Sequence, residues 1–148
     1  FKLLKGRLAC LEVDGKTIST IGPGLLCLIG AASGDEEKDA EYVSRKILGV
    51  RLFADSETGK AWDKCVVQQG GEVLCVSQFT LLGRLKGNKP DYSRAMPPQQ
   101  AREFYESLIS RLRKEYVPER IKDGIFGAMM NVRLENDGPV TLCVDSRE

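Results

Sequence analysis

The strongest constraint on the fold comes from a proline near the C-terminus. Pro139, within Asn136-Asp137-Gly138-Pro139-Val140-Thr141-Leu142, stands between two strand-like runs, Met129 to Glu135 and Val140 to Val144. Proline lacks a backbone donor and fixes φ, so it interrupts the ladder of any central strand that contains it. Asn, Asp, Gly and Pro are the usual turn formers, and the local chemistry therefore reads as a hairpin turn. A second reading is that Gly138-Pro139 presents its carbonyl oxygens to a ligand. The X-Pro bond is where a cis peptide is least costly, and a cis bond redirects the flanking carbonyls. Spacing leaves both readings open.

The remaining segments mix strands with two helices. Arg7 to Asp14 and Thr17 to Ile21 read as strands joined at Asp14-Gly15, and Leu25 to Ile29 as a short, fully buried strand. Ser33 to Glu36 has capping-box spacing, which predicts a helix from about Asp35 to Leu48 that stops at Gly49. Val50 to Phe53 reads as a short strand. Glu72 to Leu82 carries the strongest strand signal in the chain, and Gly83 to Met96, with Gly83, Gly87, Asn88 and Pro90, reads as irregular. Pro97-Pro98 opens a second helix. Its Ala101, Phe104, Tyr105, Leu108, Ile109 and Leu112 form one apolar face. About seven strands without a repeating strand-helix-strand pattern point to an α+β fold. Its sheet is expected to be mostly antiparallel, curled or closed into a barrel, in a single domain spanning 1–148.

Composition removes several function classes. Twenty-two Lys and Arg against 21 Asp and Glu leave a net charge of +1, too little for a protein that coats a polyanion, so any nucleic-acid contact is local. No apolar run has membrane-spanning length and no signal peptide is visible, so no membrane association is expected. The five cysteines are odd in number and widely spaced. Cys27, Cys75 and Cys143 fall in apolar runs and read as small hydrophobes of a reduced, cytoplasmic protein. There is no Cys-x-x-Cys pair and no histidine, which argues against a zinc site and closes Ser-His-Asp and Cys-His catalysis. An enzyme of this sequence needs another source of base: a carboxylate, a lysine, the backbone or the substrate.

Two further segments are candidates for function. Ser77, Gln78 and Thr80 interrupt the apolar run at the end of the best strand. Arg84, Lys86, Lys89 and Arg94 then face a single acid, Asp91, in a loop suited to phosphate contacts. Strand hydroxyls and charged loops are also ordinary structural features, so neither segment decides alone.

Ser77-Gln-Phe-Thr-Leu81, Lys86-Gly-Asn-Lys-Pro-Asp-Tyr-Ser93, Phe126-Gly-Ala128 and Asn136-Asp-Gly-Pro-Val-Thr141 stand in the order and spacing of the D-aminoacyl-tRNA deacylase family. Ile21 to Leu26, Leu48 to Phe53 and Gly70 to Leu74 extend this resemblance over essentially the whole chain. The resemblance implies a homodimer acting on the acceptor end of aminoacyl-tRNA without metal or cofactor. Ser77, Gln78, Phe79 and Thr80 would line the catalytic pocket. A cis Gly138-Pro139 of one subunit would enter the partner's pocket and exclude L side chains. The resemblance further implies that the 2′-OH of the terminal ribose assists the attacking water. Arg84, Lys86, Lys89 and Arg94 are the candidate tRNA contacts, and Lys5, Asn136 and Thr141 the candidate supports of the Gly-Pro motif. Two departures stand out. Leu4-Lys5-Gly6 replaces the family's Gln-Arg-Val, so a point charge replaces a planar fork, and Ala61-Trp62 replaces Met-Asn at one expected pocket wall. Two alternatives remain: a sister branch that removes L-alanine, and a catalytically idle dimer binding acceptor stems or DNA.

Overall fold

A computed structural model describes residues 1–148. Its main sheet contains β1 (Lys2–Val13), β2 (Lys16–Ile21), β3 (Gly24–Ile29), β4 (Glu72–Ser77), β7 (Ile121–Asp123) and β8 (Asn131–Cys143). β1 is antiparallel to β2, β3 and β8, whereas β3–β4 and β4–β7 are parallel, so the sheet is mixed, with most of its pairings antiparallel as expected. The Ser19 hydroxyl donates to the Asp123 carbonyl (2.6 Å), tying β2 to β7 and nearly closing the sheet into a barrel.

The continuous apolar runs of β3 and β4 follow from burial on both faces. Leu25, Cys27, Ile29, Val73 and Cys75 face the helices, while Leu26, Leu74 and Val76 pack inside the barrel with Ala9, Leu11 and Ile21. The helices are α1 (Glu37–Gly49) and α2 (Pro98–Glu115), and the periodic Tyr105, Leu108, Ile109 and Leu112 of α2 are buried on the outer face of the sheet. No helix is long and apolar enough to cross a membrane.

Several local expectations change. The α1 capping box is formed by Glu36 and Asp39, one turn later than the Ser33–Glu36 spacing. The Ser33 amide is already committed to the Arg94 carbonyl (2.8 Å). Val50 to Phe53 contributes only an isolated bridge, Phe53 to Lys64. β4 stops at Ser77 because its parallel partner β3 ends opposite, at Ile29, and the chain turns into a 3-10 segment at Phe79–Leu82. The basic loop, Gly83 to Met96, is irregular only in its second half. Gly87-Asn88 closes a hairpin between β5 (Arg84–Lys86) and β6 (Lys89–Asp91), with Gly87 at φ 61°. Cys143 is exposed, while Cys27 and Cys75 are buried; all five thiols are free.

The largest correction concerns the opening motif. The two runs flanking Pro139 belong to one strand, β8, and no hairpin turn separates them. Along β1 the register passes from Leu4 opposite Thr141 to Gly6 opposite Asn136, so Lys5 alone faces residues 137–140. The extra residues leave the ladder as a bulge, which removes the need for a donor at Pro139.

Candidate active site

A cleft of about 800 Å³ opens where β3 and β4 end. Its floor is Val76, Ser77 and the Gln78–Thr80 turn; its walls come from Tyr92, from Ala95 to Pro98, from Ala101, Phe104 and Tyr105 of α2, and from Phe126 to Met130. The turn is pinned from two sides. The Gln78 amide donates to the Ile29 carbonyl (2.7 Å), and the Tyr105 hydroxyl donates to the Cys75 carbonyl (3.0 Å) beneath it. Gly30 lets the turn approach β3 closely. A Cβ there would lie 2.4 Å from Leu82 Cδ2 and 3.0 Å from the Gln78 carbonyl oxygen.

The turn presents an exposed edge of mixed chemistry. Phe79 is 56% exposed and packs edge-to-face on Tyr92, with ring centroids 5.1 Å apart. The Thr80 hydroxyl accepts a hydrogen bond from the Gln78 side-chain amide. Leu81 and Gly83 amides donate back into the turn, to Gln78 and Thr80 carbonyls. The amides of Phe79 and Thr80 occupy the first positions of the 3-10 segment, where no intrahelical acceptor exists.

No Asp, Glu, Lys, Arg or His lines the cleft. Burial pushes the Tyr105 phenol far above its ordinary range, so it stays protonated at neutral pH. Burial also pushes the Cys27 thiol well up. The cleft therefore offers hydroxyls, one carboxamide and backbone dipoles, but no side chain suited to take a proton.

The Gly138-Pro139 peptide bond is cis, and Gly138 adopts φ 135°, a value that favours glycine. Asn136 spans the bulge: its side-chain amide donates to Thr141 Oγ1 (3.0 Å) and its Oδ1 accepts from the Val140 amide (2.9 Å). Asp137 meets two cations, Lys5 Nζ at 3.1 Å and Arg7 Nε at 3.0 Å. The Lys5 hydrogen bond, helped by Arg7, holds the Asp137 carboxyl below its usual range. Lys5 Nζ also sits 5.6 Å from the centroid of the Phe53 ring. Neither Gly138 nor Pro139 lines the cleft of its own chain. Ala61 and Trp62 do not line it either, so the departure there leaves this wall unchanged.

Arg84, Lys86, Lys89 and Arg94 are all exposed on or beside the β5–β6 hairpin. Lys86 is paired with Asp91, whose carboxyl it pulls well below the ordinary range. Arg7 and Asp137 escaped the sequence reading of motif support, as did Met129 and Met130 in the cleft wall. The alternation of β1 could have placed Arg7 two residues from Lys5 on the same side.

The family model described as D-Tyr-tRNA(Tyr) deacylase matches residues 5–145. The chain belongs to the D-Tyr-tRNA(Tyr) deacylase family. It is 52% identical to a D-aminoacyl-tRNA deacylase of Dictyostelium discoideum, over 93% of this chain and 91% of that protein. It is also 52% identical to D-aminoacyl-tRNA deacylase 1 of Homo sapiens, of which it spans only 66%. Among solved structures, the c-Myc DNA Unwinding Element Binding Protein superposes with a TM-score of 0.92 at 50% identity, covering 95% of this chain and 94% of that one. A second structure, titled as a probable eukaryotic D-amino acid tRNA deacylase, shares the deacylase-family fold at TM-score 0.83 and 15% identity, covering 97% of each chain.

Proposed function

We propose that this protein hydrolyses the ester bond of D-aminoacyl-tRNA, as a homodimer in the cytoplasm, and so removes D-amino acids from the translation pool. One observation carries this reading: the cleft at Ser77–Thr80 has no acid–base side chain. That suits an activated ester whose own ribose supplies the proton relay. The oxygen of a water molecule attacks the acyl carbon. The bond from that carbon to the ribose 3′-oxygen breaks, and the 2′-OH passes the water's proton to the departing 3′-oxygen. The amides of Phe79 and Thr80 face the developing oxyanion. Ser77, Gln78, Phe79 and Thr80 surround the ester and the terminal adenosine.

The chirality filter comes from a second copy. Gly138-Pro139 does not line its own cleft, and Met129 in the cleft wall, 91% exposed, leaves apolar surface for a second copy to cover. Lys5, Asn136 and Thr141 hold the bulge, which enters the partner's cleft with its carbonyls beside the α-carbon. Backbone carbonyls cannot change rotamer, so they reject an L side chain by clash and leave D side chains of many kinds, and glycine, as substrates. Arg84, Lys86, Lys89 and Arg94 hold tRNA phosphates.

The structure titled as a DNA-element binding protein favours a second reading, binding without turnover. A net charge of +1 gives little broad affinity for DNA. Incubating the protein with D-Tyr-tRNA distinguishes the two. Release of free D-tyrosine is expected; stable binding with the ester intact would replace this proposal with the second.

A further inference from the structure

Arg102, on the second turn of α2, belongs to no motif named above. Its guanidinium carbon lies 4.9 Å from the centroid of the Phe126 ring, and that ring lines the cleft. Phe126 in turn leans on Tyr105, with centroids 6.0 Å apart and planes at 48°. The ring is thus held between a buried phenol and a cation. Arg102 itself remains 47% exposed, and the closest carboxylate oxygen, on Glu106, is 3.9 Å away, beyond hydrogen-bonding distance. No acidic residue occupies the first turn of α2. A half-exposed guanidinium set over an aromatic ring, with no carboxylate within hydrogen-bonding distance, has its planar fork of donors available to a phosphate.

We propose that Arg102 binds the phosphodiester joining the terminal adenosine of the tRNA to the preceding nucleotide. The inference rests on the deacylase reading of the same cleft. The wall beside Arg102 is apolar, formed by Pro97, Pro98, Phe126 and Met130, and suits the face of a base. A nucleoside seated against that wall places its 5′-phosphate at the rim, where Arg102 waits. Arg102 is a binding residue and takes no part in the chemical step.

Two substrates separate this role from a structural one: D-Tyr-tRNA, and the 3′-D-tyrosyl ester of adenosine, which carries no phosphate. Arg102→Ala is expected to lower kcat/KM on D-Tyr-tRNA by about tenfold, mainly through KM, the scale of one charge-assisted hydrogen bond. It should lower hydrolysis of the adenosine ester far less, because only the packing on Phe126 is lost there. The slope of log(kcat/KM) against log salt should become shallower by about 0.7, as for one lost contact to a single strand. Arg102→Lys should recover part of the loss and restore the slope. Equal losses on both substrates would overturn the proposal, by showing that Arg102 only braces Phe126. Wild-type values on both would overturn it by showing that Arg102 is idle. A wild-type protein inactive on both would instead remove the deacylase reading beneath it.

Discussion

Gly30→Ala tests whether catalysis depends on the placement of backbone rather than on a reactive side chain. The added methyl would meet Leu82 Cδ2 at 2.4 Å, the Gln78 carbonyl oxygen at 3.0 Å and Leu81 Cβ at 3.2 Å. Leu82 Cδ2 is the end of a flexible side chain and can rotate away. The Gln78 oxygen and Leu81 Cβ cannot, so the turn must recede from β3 by a few tenths of an ångström. Overpacking of this kind costs about 1–3 kcal/mol. At roughly 2–4 °C per kcal/mol for a domain of this size, Tm should fall by about 2–12 °C, leaving the protein folded at room temperature. The same shift moves the amides of Phe79 and Thr80 away from the reacting carbonyl. A misplacement of about 1 Å costs on the order of 100-fold, so this smaller one should lower kcat roughly tenfold with a lesser change in KM. The assay is steady-state hydrolysis of D-Tyr-tRNA alongside thermal unfolding. Gly49→Ala, where an added methyl meets nothing within 4 Å, is the control. A Gly30→Ala protein with a lowered Tm and wild-type kcat would refute the reasoning.

Thr80→Ala should retain most turnover, because the Thr80 hydroxyl's partner is the Gln78 carboxamide and no base lines the cleft; complete loss in a folded variant would make Thr80 a covalent nucleophile. Asp55 is held at about 2, below its ordinary 3.8, chiefly by Lys64 and then by the Thr58 and Glu57 amides. Its contribution to stability is therefore full above pH 3.8 and is lost as pH falls through about 2. The Tm gap between wild type and Asp55→Asn should accordingly be clear at pH 5 and close on acidification; a constant gap would contradict this. Gly138→Ala, strained at φ 135°, should weaken rejection of L-Tyr-tRNA. Mixing it with excess Gly30→Ala chains should restore rejection if each filter serves the partner's cleft, and should change nothing if it serves its own.

The parts of the fold that were legible are those where one periodicity dominates. The apolar face of α2 and the unbroken runs of β3 and β4 identify their own burial. Expectations failed where pairing partners decide. Glu72 to Leu82 reads as one strand, yet β4 ends where β3 runs out, and the candidate site residues Gln78 to Thr80 lie in the turn that follows. Val50 to Phe53 has strand composition but finds only one bridge. Pro139 looked like the end of a strand because a bulge is invisible until its partner is known; β1 supplies that partner and leaves Lys5 facing residues 137–140. The candidate site was legible as separate motifs. Their division between a cleft and a bulge outside it was implied by the family resemblance and not by the residues themselves, since it depends on topology. The Asp137 pairing with both Lys5 and Arg7 likewise needs β1 and β8 side by side.

The measurement closest to the central claim is hydrolysis of D-Tyr-tRNA, glycyl-tRNA and L-Tyr-tRNA by the same preparation of wild-type protein. A filter that acts by excluding one face of the α-carbon predicts cleavage of the D-tyrosyl and glycyl esters and survival of the L-tyrosyl ester. Cleavage of L-Tyr-tRNA at a comparable rate, or a glycyl ester left intact at high enzyme concentration, would contradict it.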